Sequence, residues 1–119
     1  MPARVPVFYR IVQSNPPTQS DFTSNEAKGT PAPNQRSETR RLWRGLSVFA
    51  TEAQARSKAR QFPALGRYIA RLEVSETAPL VWERTLRNSR GHHTLWGEPR
   101  ALLGLVTAVV SVESPTPAG

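Results

Sequence analysis

One boundary, where an apolar strand passes into a helix, constrains the fold of this chain more than any other feature. Leu46 to Ala50 is a short apolar run, typical of a buried strand. Thr51 and Gln54 follow it as a Thr-x-x-Gln capping box, which fixes where a helix begins. We predict that this helix runs to about Gln61, because Phe62-Pro63 stops it. The chain must therefore combine strands with at least one helix.

Four other segments carry strand patterns, and they fit one domain. They are Val5 to Val12, which is apolar on both faces, residues 67–74, residues 80–83, and the very apolar segment Leu102 to Val112. We predict that the last of these is a central strand. A chain of 119 residues is long enough for one core. The sequence thus predicts a single α+β domain over residues 1–113, with residues 114–119 as a short Pro-rich tail.

The segment 14–41 is polar and has no sustained periodicity. Loops this long are uncommon in compact domains unless they bind something or are disordered. Within it, Phe22 is a lone aromatic residue among turn-forming side chains. We predict an ordered loop that Phe22 anchors to the core and that covers one side of a pocket.

Arg10 is the anomaly in the first strand. A guanidinium near the end of a strand that is buried on both faces must find an anion or carbonyl groups, because an unpaired buried charge is costly. Arg10 is therefore a candidate ligand-binding residue. The alternative is that it pairs with a carboxylate such as Glu98, or reaches the edge of the sheet.

The adjacent histidines His92 and His93 do not predict a metal site. Successive side chains of an extended chain point to opposite sides, and no Cys or third His completes a ligand set. One of the two, and we choose His93, is a candidate hydrogen-bonding or acid–base residue, because imidazole titrates near neutrality.

Glu98 and Ser47 each have two interpretations. Glu98 precedes Pro99, so it either starts a one-turn helix over 99–103 or serves as a general base in a pocket. Ser47 lies on the buried strand without an adjacent base, so it either binds a ligand or is a satisfied structural hydroxyl.

The charge of the chain favours anionic partners. The formal net charge is +7 and comes mostly from Arg, which captures phosphate or carboxylate through two parallel hydrogen bonds. The alternative is that these side chains simply face water. The chain has no Cys, which excludes disulfides and thiolate metal sites, and no apolar run approaches the roughly 20 residues of a membrane span. With no secretory pattern after Met1, we expect a cytoplasmic protein without a membrane partner.

Three separated pieces resemble the ADP-ribosyltransferase-like superfamily, including its small bacterial toxin-like members and its RNA 2′-phosphotransferase branch. They are Phe8-Tyr9-Arg10, then Gly45-Leu46-Ser47-Val48-Phe49 ahead of an Ala-rich helix, and Gly97-Glu98. They occur in the order of the family's three motifs. The resemblance covers most of residues 5–112.

The resemblance implies a split, mostly antiparallel sheet with few short helices, and NAD as the substrate. Arg10 would bind a phosphate or ribose, Ser47 would orient the ribose, and Glu98 would stabilise the oxocarbenium-like charge. Tyr9 or Trp43 would stack on a ring, and Arg44 and Gly45 would complete the NAD site. A histidine, His92 or His93, would point to the phosphotransferase branch. The resemblance implies a transferase or NAD hydrolase, and it implies a role as a bacterial toxin with a cognate antitoxin.

The rival hypothesis is a non-enzymatic basic module that binds RNA, DNA or an acidic protein. Its contacts would come from stacking by Trp43 or Trp96 and from a set of arginines. The arginines are Arg36, Arg40, Arg41, Arg44, Arg56, Arg60, Arg84, Arg87 and Arg90.

Overall fold

Six strands form one antiparallel sheet in the described part of the chain, which a computed structural model gives as residues 6–74, 80–85 and 91–113. The strands are β1 (Val7–Val12), β2 (Leu46–Phe49), β3 (Tyr68–Glu73), β4 (Val81–Arg84), β5 (His92–Trp96) and β6 (Val106–Ser111). Their order across the sheet is β4-β5-β2-β1-β3-β6. The first strand of the chain therefore lies in the middle of the sheet.

The sheet is held unevenly on the two sides of β1. Between β1 and β3, six pairs of Cα partners run from Val7↔Glu73 to Val12↔Tyr68. Between β1 and β2, the only pair is Tyr9↔Phe49. Past that pair, towards the C-terminal end of β1, no further Cα partners join these two strands. We call this gap the seam.

Three helices accompany the sheet in the described residues: α1 (Ser37–Trp43), α2 (Glu52–Gln61) and α3 (Pro99–Leu103). The predicted capping box starts α2, because the Thr51 hydroxyl accepts a hydrogen bond from the Gln54 amide at 3.1 Å. The Gln54 side chain in turn accepts one from the Thr51 amide at 3.2 Å. The predicted start and end of this helix are confirmed.

Each face of the sheet buries its own apolar cluster. Alternation along β1 sends Phe8 and Val12 to one cluster and Ile11 to the other. The larger cluster also holds Phe22, which is 1% exposed and ties the segment 14–41 to the core as expected. The smaller cluster lies under α2, whose Ala55 and Ala59 allow the helix to approach the sheet closely. The prediction of one α+β domain with an antiparallel sheet and few helices is confirmed.

The prediction of one central strand over Leu102 to Val112 is wrong. Leu102 and Leu103 belong to α3, which starts with Pro99 in its first turn and is closed by a hydrogen bond from the Leu102 amide to the Glu98 carbonyl at 3.0 Å. Only residues 106–111 form a strand, and β6 lies at the edge of the sheet. A continuous apolar run does not by itself distinguish helix from strand.

Several elements were not predicted. The segment 14–41 contains a 3₁₀ turn over Gln19–Phe22 and most of α1, so it is not structureless. β5 was also missed, although it pairs with β2 along four residues, from Leu46↔Leu95 to Phe49↔His92. Most side chains of β5 are polar or aromatic, because one face of this strand lines a pocket. The predicted tail, residues 114–119, lies outside the described residues.

No helix within residues 6–74, 80–85 and 91–113 has both the length and the apolar character of a membrane span.

Candidate functional site

A pocket of about 360 Å³ opens at the seam. This size falls within the range of small-molecule sites, roughly 300–1,000 Å³. β1 contributes Arg10, the segment around the start of β2 contributes Trp43, Gly45 and Ser47, and β5 contributes His92. The pocket therefore gathers side chains that are far apart in the sequence, at the point where the central strands of the sheet part.

Arg10 bridges the seam through carbonyl groups. Its Nε donates to the Asp21 carbonyl and its Nη1 to the Ser47 carbonyl, both at 2.8 Å. Of the sequence alternatives, it is therefore carbonyls, and not the carboxylate of Glu98, that hold Arg10. Burial lowers the pKa of Arg10 to about 10, against the opposing effect of the Asp21 charge, so the side chain stays cationic at neutral pH. Its Nη2 makes no hydrogen bond to any of the described residues.

Asp21 holds the start of the pocket loop in place. Its Oδ1 accepts a hydrogen bond from the Gln13 amide at 2.7 Å. Its Oδ2 accepts from the Ser14 hydroxyl at 2.6 Å and from the Thr18 amide at 2.9 Å. Burial alone would raise the pKa of Asp21, but these three donors and the positive charge of Arg10 outweigh it and hold the pKa below its usual value.

The rest of the loop is tied down by two contacts next to the pocket. The Trp43 Nε1 donates to the Thr30 carbonyl at 2.8 Å, and the Arg44 Nε donates to Glu26 Oε2 at 2.8 Å. Between the Asp21 network and these ties, the loop presents Thr23, Asn25 and Lys28 to the pocket, so it forms one wall. Arg44 itself does not line the pocket, because its side chain is directed to Glu26.

The two histidines lie on opposite faces of β5. The His92 ring lines the pocket, with its Nδ1 2.6 Å from the Thr85 hydroxyl, and that hydroxyl lies 3.1 Å from the Thr94 hydroxyl. The His93 ring lies on the side of the larger cluster, with its centre 5.2 Å from the centre of the Phe8 ring. Sequence reasoning selected His93, whereas the structure places His92 at the pocket. The choice depends on the register of β5, which the sequence did not reveal.

Gly45 and Ser47 reach the pocket from the start of β2. A side chain at Gly45 would collide with the Thr94 methyl group and would lie 3.0 Å from Trp96 Nε1, so glycine lets β5 approach closely here. The Ser47 side chain is exposed, and its backbone carbonyl holds Arg10.

Tyr9 and Glu98 stand apart from the pocket. Tyr9 is half-buried and packs against the smaller core cluster on the α2 side. Glu98 is exposed and is the N-cap residue of α3, although its side chain makes no capping hydrogen bond there; this is the position at the start of the helix that the sequence offered as one of its two interpretations. Because β5 ends where β2 begins, Glu98 lies at the same end of the sheet as the pocket but is not among its lining residues.

The electrostatics of the pocket favour an anion. Its described lining includes the cations Arg10 and Lys28 and the imidazole of His92, and it includes no Asp or Glu. Across residues 6–74, 80–85 and 91–113, no three His, Asp or Glu side chains are grouped as metal ligands. The arrangement can bind a planar, negatively charged molecule, with Trp43 beside a ring and Arg10 on an acidic group.

Several arginines of the rival hypothesis are engaged within the chain. Arg41 pairs with Glu38 at 2.7 Å and with Glu83 at 3.0 Å, and it lies over the Trp96 ring at 5.0 Å. Arg56 is 4% exposed and pairs with Glu52 at 3.0 Å. Arg87 and Arg90 lie outside the described residues.

Comparisons of the chain with protein-family models, with curated proteins and with solved structures found no match.

Proposed function

We propose that this chain is an ADP-ribosyltransferase-like protein that binds NAD in the seam pocket and acts as a transferase or NAD hydrolase. The observation that carries the proposal is that Arg10, Trp43, Gly45 and Ser47 line one pocket. The resemblance implies that these four residues bind NAD, together with Tyr9 and Arg44, which do not line the pocket. A role as a bacterial toxin, controlled by an antitoxin, belongs to the same proposal and rests on the resemblance alone.

The chemistry would be cleavage of the bond between nicotinamide and ribose through an oxocarbenium-like step. In such a reaction the protein supplies mainly position and electrostatic stabilisation. Arg10 would hold a phosphate or ribose oxygen through its Nη2, Trp43 would stack on a ring, and Ser47 would orient the ribose. The transferred group would go to an acceptor or to water.

Glu98 has a separate place in the proposal, because it lies outside the lining of the pocket. If Glu98 acts on the bound substrate, Glu98→Gln should lower turnover while leaving the affinity for NAD unchanged. If Glu98 is only the residue at the start of α3, neither quantity should change.

The test is NAD binding by calorimetry, together with NMR detection of released nicotinamide, with and without total RNA. Arg10→Lys keeps the charge but loses the fork of the guanidinium, so we expect binding and turnover to fall about tenfold or more. Arg67→Lys is the matched control, because Arg67 is exposed and does not line the pocket. Thermal unfolding checks that both variants are folded. Absence of both binding and turnover in the wild-type protein would overturn the proposal.

One specific observation favours the alternative function, a basic module that binds a nucleic acid or an acidic protein. Arg36, Arg40, Arg60 and Arg84 are exposed and form no ion pair with any described residue. Their charges are available to a nucleic acid or an acidic protein.

A further inference from the structure

The seam pocket has a second cation whose position depends on a short turn of the loop. Lys28 lines the pocket together with Arg10. Its side chain is exposed, and no ion pair links it to a carboxylate in the described part of the chain. No carboxylate among the described residues therefore neutralises the second positive charge of the pocket.

Backbone hydrogen bonds form the turn that carries Lys28. The Lys28 amide donates to the Ser24 carbonyl at 3.0 Å, and the Thr30 amide donates to the Asn25 carbonyl at 2.9 Å. Asn25 lines the same pocket, so one turn supplies both a cation and an amide group.

Of the two charged side chains in the turn, that of Lys28 lines the pocket and that of Glu26 does not. Glu26 does not line the seam pocket, because its carboxylate is held by Arg44 at 2.8 Å. That ion pair holds the negative charge of the turn outside the lining of the pocket, and it connects the turn to Arg44, the C-cap residue of α1. The hydrogen bond from Trp43 to the Thr30 carbonyl holds the far end of the same turn.

We infer that Lys28 and Arg10 together make the seam pocket selective for the diphosphate group of a nucleotide, and that the Glu26–Arg44 pair positions Lys28 for this purpose. The inference rests on the proposed function, which supplies a nucleotide as the ligand. The two cations would bind phosphate oxygens in different ways. The guanidinium of Arg10 offers a fixed, planar fork of donors, and the ammonium of Lys28 offers a mobile point charge. With no carboxylate in the described lining, nothing there repels a doubly charged group.

The experiment compares ADP with adenosine by calorimetry on the full chain. In the wild-type protein, ADP should bind at least about tenfold more tightly than adenosine. Lys28→Met should weaken ADP about tenfold and leave adenosine unchanged. Lys58→Met is the matched control, because the Lys58 ammonium lies over the Phe62 ring at 4.7 Å and outside the pocket, and this variant should bind both ligands as the wild type does.

Glu26→Gln tests the positioning by the ion pair. This variant should weaken ADP binding when Lys28 is present and should add nothing in the double variant with Lys28→Met. Equal affinity for ADP and adenosine, or unchanged ADP affinity in Lys28→Met, would overturn the selectivity. Additive effects of the two substitutions would overturn the role of the pair.

Measuring NAD on the same variants separates this inference from the proposed function. Binding of ADP that depends on Lys28, without any binding of NAD, would sustain the diphosphate site and remove the proposed function. Binding and turnover of NAD that are the same in Lys28→Met and in the wild type would do the reverse.

Discussion

Asp21 connects the pocket loop to the sheet, and its charge state should set the acid stability of the protein. The pKa of its carboxyl is lower in the folded protein than in the unfolded chain. The stabilisation is therefore complete above the ordinary pKa of about 3.9 and is lost as the pH falls through the folded-state pKa. We expect Asp21→Asn to lower the free energy of unfolding by about 2 kcal/mol at pH 7, because its NH₂ group cannot accept from Ser14 and Thr18.

Urea unfolding between pH 7 and pH 3 checks this, since the difference between Asp21→Asn and the wild type should shrink as Asp21 becomes protonated. Glu98→Gln, which changes an exposed carboxylate, should stay within about 0.5 kcal/mol of the wild type. A constant difference across the pH range would show that the Asp21 charge does not hold the loop.

At the scale of single residues, the sequence identified Arg10 as a candidate residue of the site but did not identify Asp21. A guanidinium in an apolar strand is conspicuous, and the need for carbonyl partners follows from the cost of burying its charge. The partners of Asp21 are two backbone amides and a hydroxyl that only the folded loop brings together. Only the register of β5 shows which of the two histidines lies at the pocket.

The connection between α2 and β3 depends on Gly66, which has a φ of 152°. A Cβ atom at this position would collide with the Val12 carbonyl, so the connection can pass β1 only without a side chain. Gly66→Ala should therefore cost about 3 kcal/mol or more of unfolding free energy. Urea unfolding at neutral pH measures the change.

Gly29 is the matched control for that substitution. It also has a positive φ, 83°, but a Cβ atom there would meet nothing within 4 Å. Gly29→Ala should therefore cost only the backbone strain, about 1 kcal/mol. Equal losses in the two variants would show that the contact with Val12 does not matter.

At the scale of helices and strands, α2 was predicted correctly because a short sequence motif marks its start. The capping box located α2 because its two hydrogen bonds join residues three apart in the sequence. β5 has no such signal, because its stability comes from pairing with β2 and β4 and its face at the pocket is polar. The apolar run after Glu98 was misread because the turn at 104–105, which separates α3 from β6, is itself built from apolar and small residues.

For the whole molecule, the net charge of +7 makes salt the variable that separates the two functions. A basic module that contacts six to ten phosphates should lose roughly a thousandfold or more in affinity between 50 and 200 mM salt. NAD bound through two cations should lose no more than about tenfold, because only two phosphates are neutralised. Titrations of NAD and of a short RNA at both salt concentrations measure the two slopes. A steep slope for NAD, as steep as for RNA, would contradict binding within the pocket.

At the seam, the two central strands of the sheet are paired along only part of their length. β1 and β2 share one pair of Cα partners, and past it the Arg10 side chain donates to the Ser47 carbonyl, where backbone hydrogen bonds join the strands of a regular sheet. The sheet is thus two three-stranded halves joined at one pair, with α2 packed across the join. A molecule bound in the gap would contact both halves of the sheet and connect them where strand pairing is absent. The ligand would then be part of what holds the two halves together, as well as the occupant of the pocket.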